Sequence, residues 1–130
     1  MDMGDVRIGV AVSDPLGIST NGIEIHISKG VEADIRYFTE MASSLHVDMF
    51  LIGLPLNMDG TEGDRAEKAR SFGGMLAEAS GLPVDYEDER LTTVEAEEML
   101  IEAGLSRQER KKVIDKVAAE IILRSYLSRQ

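Results

Sequence analysis

The sequence predicts an α/β fold in which a sheet of mixed strand direction is flanked by helices. Three observations lead there. Short β-branched segments alternate with longer stretches at helical spacing, the first two strand-like segments are joined by a dense turn, and the later ones are separated by helices. A tight turn imposes antiparallel pairing, whereas a helical crossover returns the chain for a parallel strand. With 130 residues, 43% of them hydrophobic, the chain is long enough to bury its own core. We expect one domain over residues 1–130.

Arg7 to Val12 is rich in valine and isoleucine, and Ser13-Asp14-Pro15-Leu16-Gly17 is a turn. Ile18 to Ile27 then pairs back as an antiparallel strand with a bend near Asn21-Gly22. Val31 to Leu45 places Val31, Ile35, Phe38, Met41, Ala42 and Leu45 on one helical face. Met49 to Gly53 is wholly apolar, as a strand buried on both faces must be, and leads into a glycine-rich polar loop, 57–63. Asp64 with Glu67 is expected to cap a helix that Gly81-Leu82-Pro83 stops. Leu82 to Glu87 forms the next strand, leaving Asp88 and Glu89 at its end. Thr92 and Glu95 then have the spacing of a capping box for a helix over 93–103. Gly104 ends that helix, and Ser106 with Glu109 caps the last one.

Composition removes several chemistries. The absence of cysteine excludes disulfides, thiolate metal sites and cysteine nucleophiles. The two histidines, His26 and His46, are too far apart for a histidine-pair motif, and neither a nucleophile elbow nor a glycine-rich nucleotide fingerprint occurs. No apolar run would span a bilayer, and acids rather than bases precede the first apolar segment, so we expect a cytoplasmic protein that does not enter membranes.

The net charge of −10 opposes nucleic-acid binding until its distribution is considered. Residues 104–130 hold seven bases against three acids, a local balance of +4, and residues 1–103 hold −14. Such asymmetry suits either a basic docking surface on an acidic body or a solvated helix face.

Carboxylates remain as candidates for chemistry. Asp88 and Glu89 stand at a strand end, where loops gather ligands in sheets with helical crossovers. Asp115 lies in line with Ala119, Ile122 and Tyr126, which turns it toward the core, where a carboxylate needs a metal or a cationic partner such as Lys111 or Lys112. Asp2 precedes a glycine turn and an Ile-Gly-Val-Ala strand; in isolation it reads as a frayed terminus as readily as a ligand.

Four segments, Arg7-Ile8-Gly9-Val10-Ala11-Val12-Ser13-Asp14-Pro15, Gly53-Leu54-Pro55-Leu56-Asn57-Met58-Asp59-Gly60, Asp88-Glu89-Arg90-Leu91-Thr92-Thr93-Val94-Glu95-Ala96 and Lys112-Val113-Ile114-Asp115-Lys116-Val117-Ala118-Ala119, closely resemble the YqgF (RuvX) family in content and order. The resemblance implies a ribonuclease H-like, mixed five-stranded sheet, its first three strands antiparallel and the remainder parallel. It also implies kinship with RuvC Holliday junction resolvases and a nuclease that matures the 5′ end of small-subunit ribosomal RNA precursors or resolves branched DNA.

Carried over by motif, Asp2, Glu89 and Asp115 become the catalytic and metal-binding acids. Asp88 is held in reserve, because adjacent strand residues face opposite ways. The implied cofactor is Mg²⁺, with Mn²⁺ an alternative, as two ions about 4 Å apart that activate water and stabilise the leaving oxygen. Arg7 and Arg90 are candidates to hold the carboxylates or meet phosphate, and Arg110, Lys111, Lys112 and Lys116 to contact the backbone of precursor rRNA or branched DNA. The loop from Gly53 to Gly60 either shapes the substrate cleft or serves only the turn.

Family members carry several apolar residues before the first aspartate, whereas here only Met1 precedes Asp2. A truncated first strand, with an upstream start, lower stability and a poorly placed Asp2, is the expectation. The competing function is a catalytically decayed nucleic-acid-binding or ribosome-assembly module; half of an actin-like ATPase is disfavoured by the missing second domain and phosphate loops. Monomer and homodimer remain open.

Overall fold

The computed structural model describes residues 1–17, 19–90 and 92–129, and the side chains of all of these but Thr93. Five strands and four helices follow in the order β1 (Asp2–Met3), β2 (Arg7–Ser13), β3 (Thr20–Ile27), α1 (Val31–Leu45), β4 (Phe50–Leu54), α2 (Asp64–Ser80), β5 (Val84–Asp88), α3 (Thr92–Glu102) and α4 (Arg107–Leu127). Ile18 and Leu91, expected in the second strand and before the third helix, lie outside the described residues.

β1, β2 and β3 form an antiparallel meander, and β4 pairs with β5 in parallel. Met1 joins the two sets. Its amino nitrogen donates to the Leu51 carbonyl at 2.7 Å and its carbonyl accepts from the Gly53 N–H at 2.9 Å, the bonding of a parallel neighbour. The strands thus lie side by side as β3-β2-β1-β4-β5, the mixed five-stranded arrangement expected.

Strand parity assigns the faces. Ile8 and Val10 of β2, Phe50, Ile52 and Leu54 of β4, and Val84 and Tyr86 of β5 join the core built with Phe38 and Ala42 of α1 and Ala66, Ala69, Phe72 and Leu76 of α2. The opposite face is covered by α4, through the stripe Ala118, Ala119, Ile121 and Ile122, and α3 packs on α4. Because β4 is covered on both sides, all five of its residues are buried, which explains its unbroken apolar sequence. Between β2 and β3 the pairing shifts from Val10↔Glu24 to Ala11↔Gly22, so Ile23 of β3 is bulged beside the anticipated bend.

Local signals locate the helices well but not every cap. α1 has the predicted limits, and α4 carries the full Ser106–Glu109 capping box. Asp64, in contrast, is the first helical residue of α2; Gly63 occupies the cap with no side-chain bond. Thr92 likewise lies inside α3 and is buried, its N–H donating to the Glu89 carbonyl at 3.1 Å. Asp64 and Thr92 thus each lie one position further into the helix than expected, because capping-box spacing recurs within the first turn. Among the described residues no helix is long and apolar enough to cross a membrane.

Candidate active site

On β5 the residues that face α4 are the odd-numbered ones. Asp85 accepts from the Tyr126 hydroxyl at 2.8 Å and Glu87 pairs with Arg129, both partners lying at the end of α4. The same parity carries Glu89, just beyond the strand, to that face. Asp88 turns away and is exposed, bound to the Arg90 guanidinium at 2.7 Å and to the Arg90 N–H at 2.9 Å. The two neighbouring acids are therefore separated by the alternation of an extended chain.

Asp2 reaches the α4 face from the centre of the sheet. It pairs with Gly9 of β2 on one side, and the Met1 hydrogen bonds set it beside Gly53 of β4 on the other. Both flanking positions lack a side chain, and both spaces are used. A Cβ on Gly9 would collide with the backbone carbonyl of Asp115, so α4 can approach there only over glycine. A Cβ on Gly53 would strike the Glu89 carboxylate and come within 2.7 Å of Ile122. Two acids from distant elements consequently converge on Asp2 from either side.

The carboxyl of Asp2 shares hydrogen bonds with Glu89 and with Asp115. Burial raises Asp2 above the usual carboxylate range, a rise opposed by the hydrogen bond from Glu89, the Met1 ammonium, the hydrogen bond from Asp115 and the charge of Arg65. Burial, then the Asp2 charge and its hydrogen bond, push Glu89 up to about 8. Asp115 is raised by burial and by Asp2, against the pull of Arg7. Burial thus acts on all three acids in the same direction, against their ionised forms.

Among the described residues no three acids or histidines surround one point as a preformed metal cage. The acids instead form a chain with Asp2 in the middle. An all-oxygen set of carboxylates nonetheless has the donor chemistry that suits a hard divalent cation. The fold brings Glu89 and Asp115 toward Asp2 from either side. Neither Lys111 nor Lys112 pairs with Asp115 among the described residues; both are exposed.

The expected cations are placed unequally. Arg7 is exposed and its charge reaches Asp115. Arg90 is engaged by Asp88 and donates to the Met58 carbonyl at 3.3 Å, so it braces the 57–63 loop. Arg110 bonds Glu97 at 2.8 Å and the Leu105 carbonyl at 3.2 Å, tying α3 to α4. The stem of Lys116 lies over Gly22, and the Glu120 carboxylate accepts from the Gly22 N–H at 2.9 Å.

Arg65, in the first turn of α2, is the residue that sequence reasoning missed. Its charge acts on both Asp2 and Glu89. No motif singles it out, and only its position just after the glycine-rich loop hinted at the site's rim.

Comparison with known proteins finds relatives along nearly the whole chain. The family model described as "RuvX: Holliday junction resolvase" matches residues 1–129. A protein of Streptococcus sanguinis named "Putative pre-16S rRNA nuclease" is 52% identical over 133 residues, covering 99% of this chain and 95% of the relative. One of the same name from Pelotomaculum thermopropionicum is 50% identical over 131 residues, covering all of this chain and 85% of the relative. Among solved structures, Thermus thermophilus RuvC in complex with a Holliday junction substrate is similar in fold, with a TM-score of 0.58 at 13% identity over 98% of this chain and 92% of that one.

Proposed function

The chain belongs to the RuvX family, and on that basis we propose that it is a divalent-metal-dependent endonuclease that hydrolyses phosphodiester bonds in the precursor of 16S ribosomal RNA. The observation that carries the reading is the approach of two elements to Asp2 on one face of the sheet, the Glu89 carboxylate over Gly53 and the Asp115 backbone over Gly9. The names of the relatives supply the substrate, and the site supplies the reaction class. A nuclease domain over residues 1–130, working in the cytoplasm, completes the proposal.

Asp2, Glu89 and Asp115 would hold Mg²⁺, or Mn²⁺ in its place. Bound there, such a cation would supply Lewis-acid chemistry, polarising the phosphate and stabilising developing negative charge. The protein's own contribution is to hold three mutually repelling carboxylates in register. Asp2 is fixed by strands on both sides, Asp115 by contact of the α4 backbone with Gly9, and Glu89 by the space over Gly53 and by its N–H, which donates to the Leu54 carbonyl at 3.2 Å. Arg7 lies near enough to moderate the charge of Asp115 and to meet substrate phosphate. The exposed Lys111 and Lys112 are assigned to the flanking backbone by charge.

The test is an assay of the parent, Glu89→Gln and Asp115→Asn on precursor 16S rRNA and a four-way DNA junction, with Mg²⁺, Mn²⁺ or chelator. Metal-dependent cleavage by the parent alone is expected, with all three proteins folded. Variants that cut at the parental rate would refute the site. Salt-sensitive binding without cleavage by the parent would replace the enzyme with a binding module.

A further inference from the structure

We propose that Arg65 is a substrate-binding residue that grips a backbone phosphate at the rim of the acid cluster. The inference rests on the nuclease reading above and assigns a phosphodiester contact to a residue on α2, outside the motifs that drew attention in the sequence.

Backbone hydrogen bonds bring Arg65 and Glu89 to the same edge. Leu56 and Glu62 form an isolated antiparallel bridge that folds the loop after β4 back on itself, so α2 begins two residues later, at Asp64. Glu89 is tied to the same end of β4 by its N–H on the Leu54 carbonyl. Arg65 therefore starts its helix at the strand end over which the Glu89 carboxylate sits. Its charge reaches Asp2 and Glu89 together.

Arg65 is also uncommitted. Arg70, Arg90, Arg110 and Arg129 are paired with Glu62, Asp88, Glu97 and Glu87 respectively. Among the described residues Arg65 makes no hydrogen bond or ion pair, and it is exposed. Arg7, Arg36, Arg107 and Arg124 are unpaired as well among the described residues, and of these five arginines it is Arg65 and Arg7 whose charge reaches the acids. Arg65 remains free although Asp64 and Glu67 share its helical turn. Its planar fork suits a phosphate oxygen pair better than a lysine would, and an anionic substrate entering over Asp2 and Glu89 needs a cation on that side. Arg7 provides one on the Asp115 side. The acid cluster is thereby bracketed by two unengaged arginines from opposite directions.

The experiment compares the parent with Arg65→Ala, Arg65→Lys and Glu89→Gln. Binding of an RNA oligonucleotide spanning the 5′ end of precursor 16S rRNA is measured in chelator over a series of salt concentrations, and cleavage is measured in Mg²⁺. The same series on a four-way DNA junction tells which nucleic acid supplies the phosphate. For Arg65→Ala we expect thermal stability to be unchanged, binding to weaken about tenfold and the slope of log K against log salt to shrink by roughly 0.7–0.9, the loss of one phosphate contact. Arg65→Lys should recover the slope and part of the affinity. Parental affinity and slope in Arg65→Ala would overturn the inference, as would slower cleavage with an unchanged slope. If Glu89→Gln still cuts, the nuclease site itself is misassigned; if Glu89→Gln is inert while Arg65→Ala binds as the parent does, only the role of Arg65 falls.

Discussion

The Glu89 carboxylate lies in the space that a side chain on Gly53 would fill. Gly53 is on the buried fourth strand, and its missing Cβ is what lets an acid from the end of β5 reach Asp2 at the centre of the sheet. Gly9 does the same for Asp115 on the other side.

Gly53→Ala should displace Glu89 and press on Ile122, lowering stability by about 1–3 kcal/mol as overpacked sites do. Gly9→Ala should be worse, because the colliding atoms belong to the backbone of α4 and cannot rotate away. Denaturant unfolding with parallel cleavage assays checks both. Cleavage should fall more than tenfold in Gly53→Ala even where most molecules remain folded, since small misplacements of catalytic groups are costly.

The pH dependence of metal binding follows from Glu89. Its carboxyl titrates near 4.5 when unfolded and at about 8 in the metal-free fold, so the folded state binds the extra proton in between. The stabilising contribution is complete below 4.5, declines with rising pH and is gone above 8. Asp2 and Asp115 are raised too and act in the same sense. Mg²⁺ must displace these protons, so its affinity should climb with pH up to about 8, by as much as about tenfold per unit for each proton released. Calorimetric titrations in buffers of different ionisation enthalpy would count the protons. An affinity independent of pH between 5 and 8 would contradict the assignment of Glu89.

Asp34 predicts the opposite slope in acid. Burial draws its carboxyl up, but the Ser28 hydroxyl at 2.6 Å, the Lys29 N–H at 3.0 Å and His26 at 2.9 Å outweigh burial and hold it below the ordinary 3.8. Its contribution is present above 3.8 and is lost as pH falls through the lowered value. Asp34→Asn should therefore cost about 1–3 kcal/mol near neutrality and flatten the acid limb of the stability curve. Urea midpoints across that range measure it.

Arg90→Ala should loosen the 57–63 loop rather than unfold the protein. The Arg90–Asp88 pair is exposed and screened by solvent, so it contributes little to global stability. Amide exchange at Asn57, Gly60 and Thr61 should quicken while the protection of β4 is unchanged, because Arg90 links the loop's Met58 carbonyl to the end of β5.

The sequence by itself determined the order of the elements, the limits of α1, the Ser106 cap and the shortlist of acids, because helical periodicity, capping and turn chemistry act over a few residues. The family-like motifs extended that to a ribonuclease H-like sheet and named Glu89. What only the tertiary structure decided is how distant residues face one another. Parity along β5, anchored by Asp85 on Tyr126 and Glu87 on Arg129, turns Glu89 inward and Asp88 outward. Local spacing cannot specify that choice, since either acid would satisfy the turn. The seating of two acids over Gly9 and Gly53 depends on strand register between segments far apart in the chain, and the engagement of Arg110 on the packing of α3 against α4, whereas Arg90 is held by a carboxylate two residues away. Register is set by the burial of whole faces against α1, α2 and α4, which no short pattern encodes.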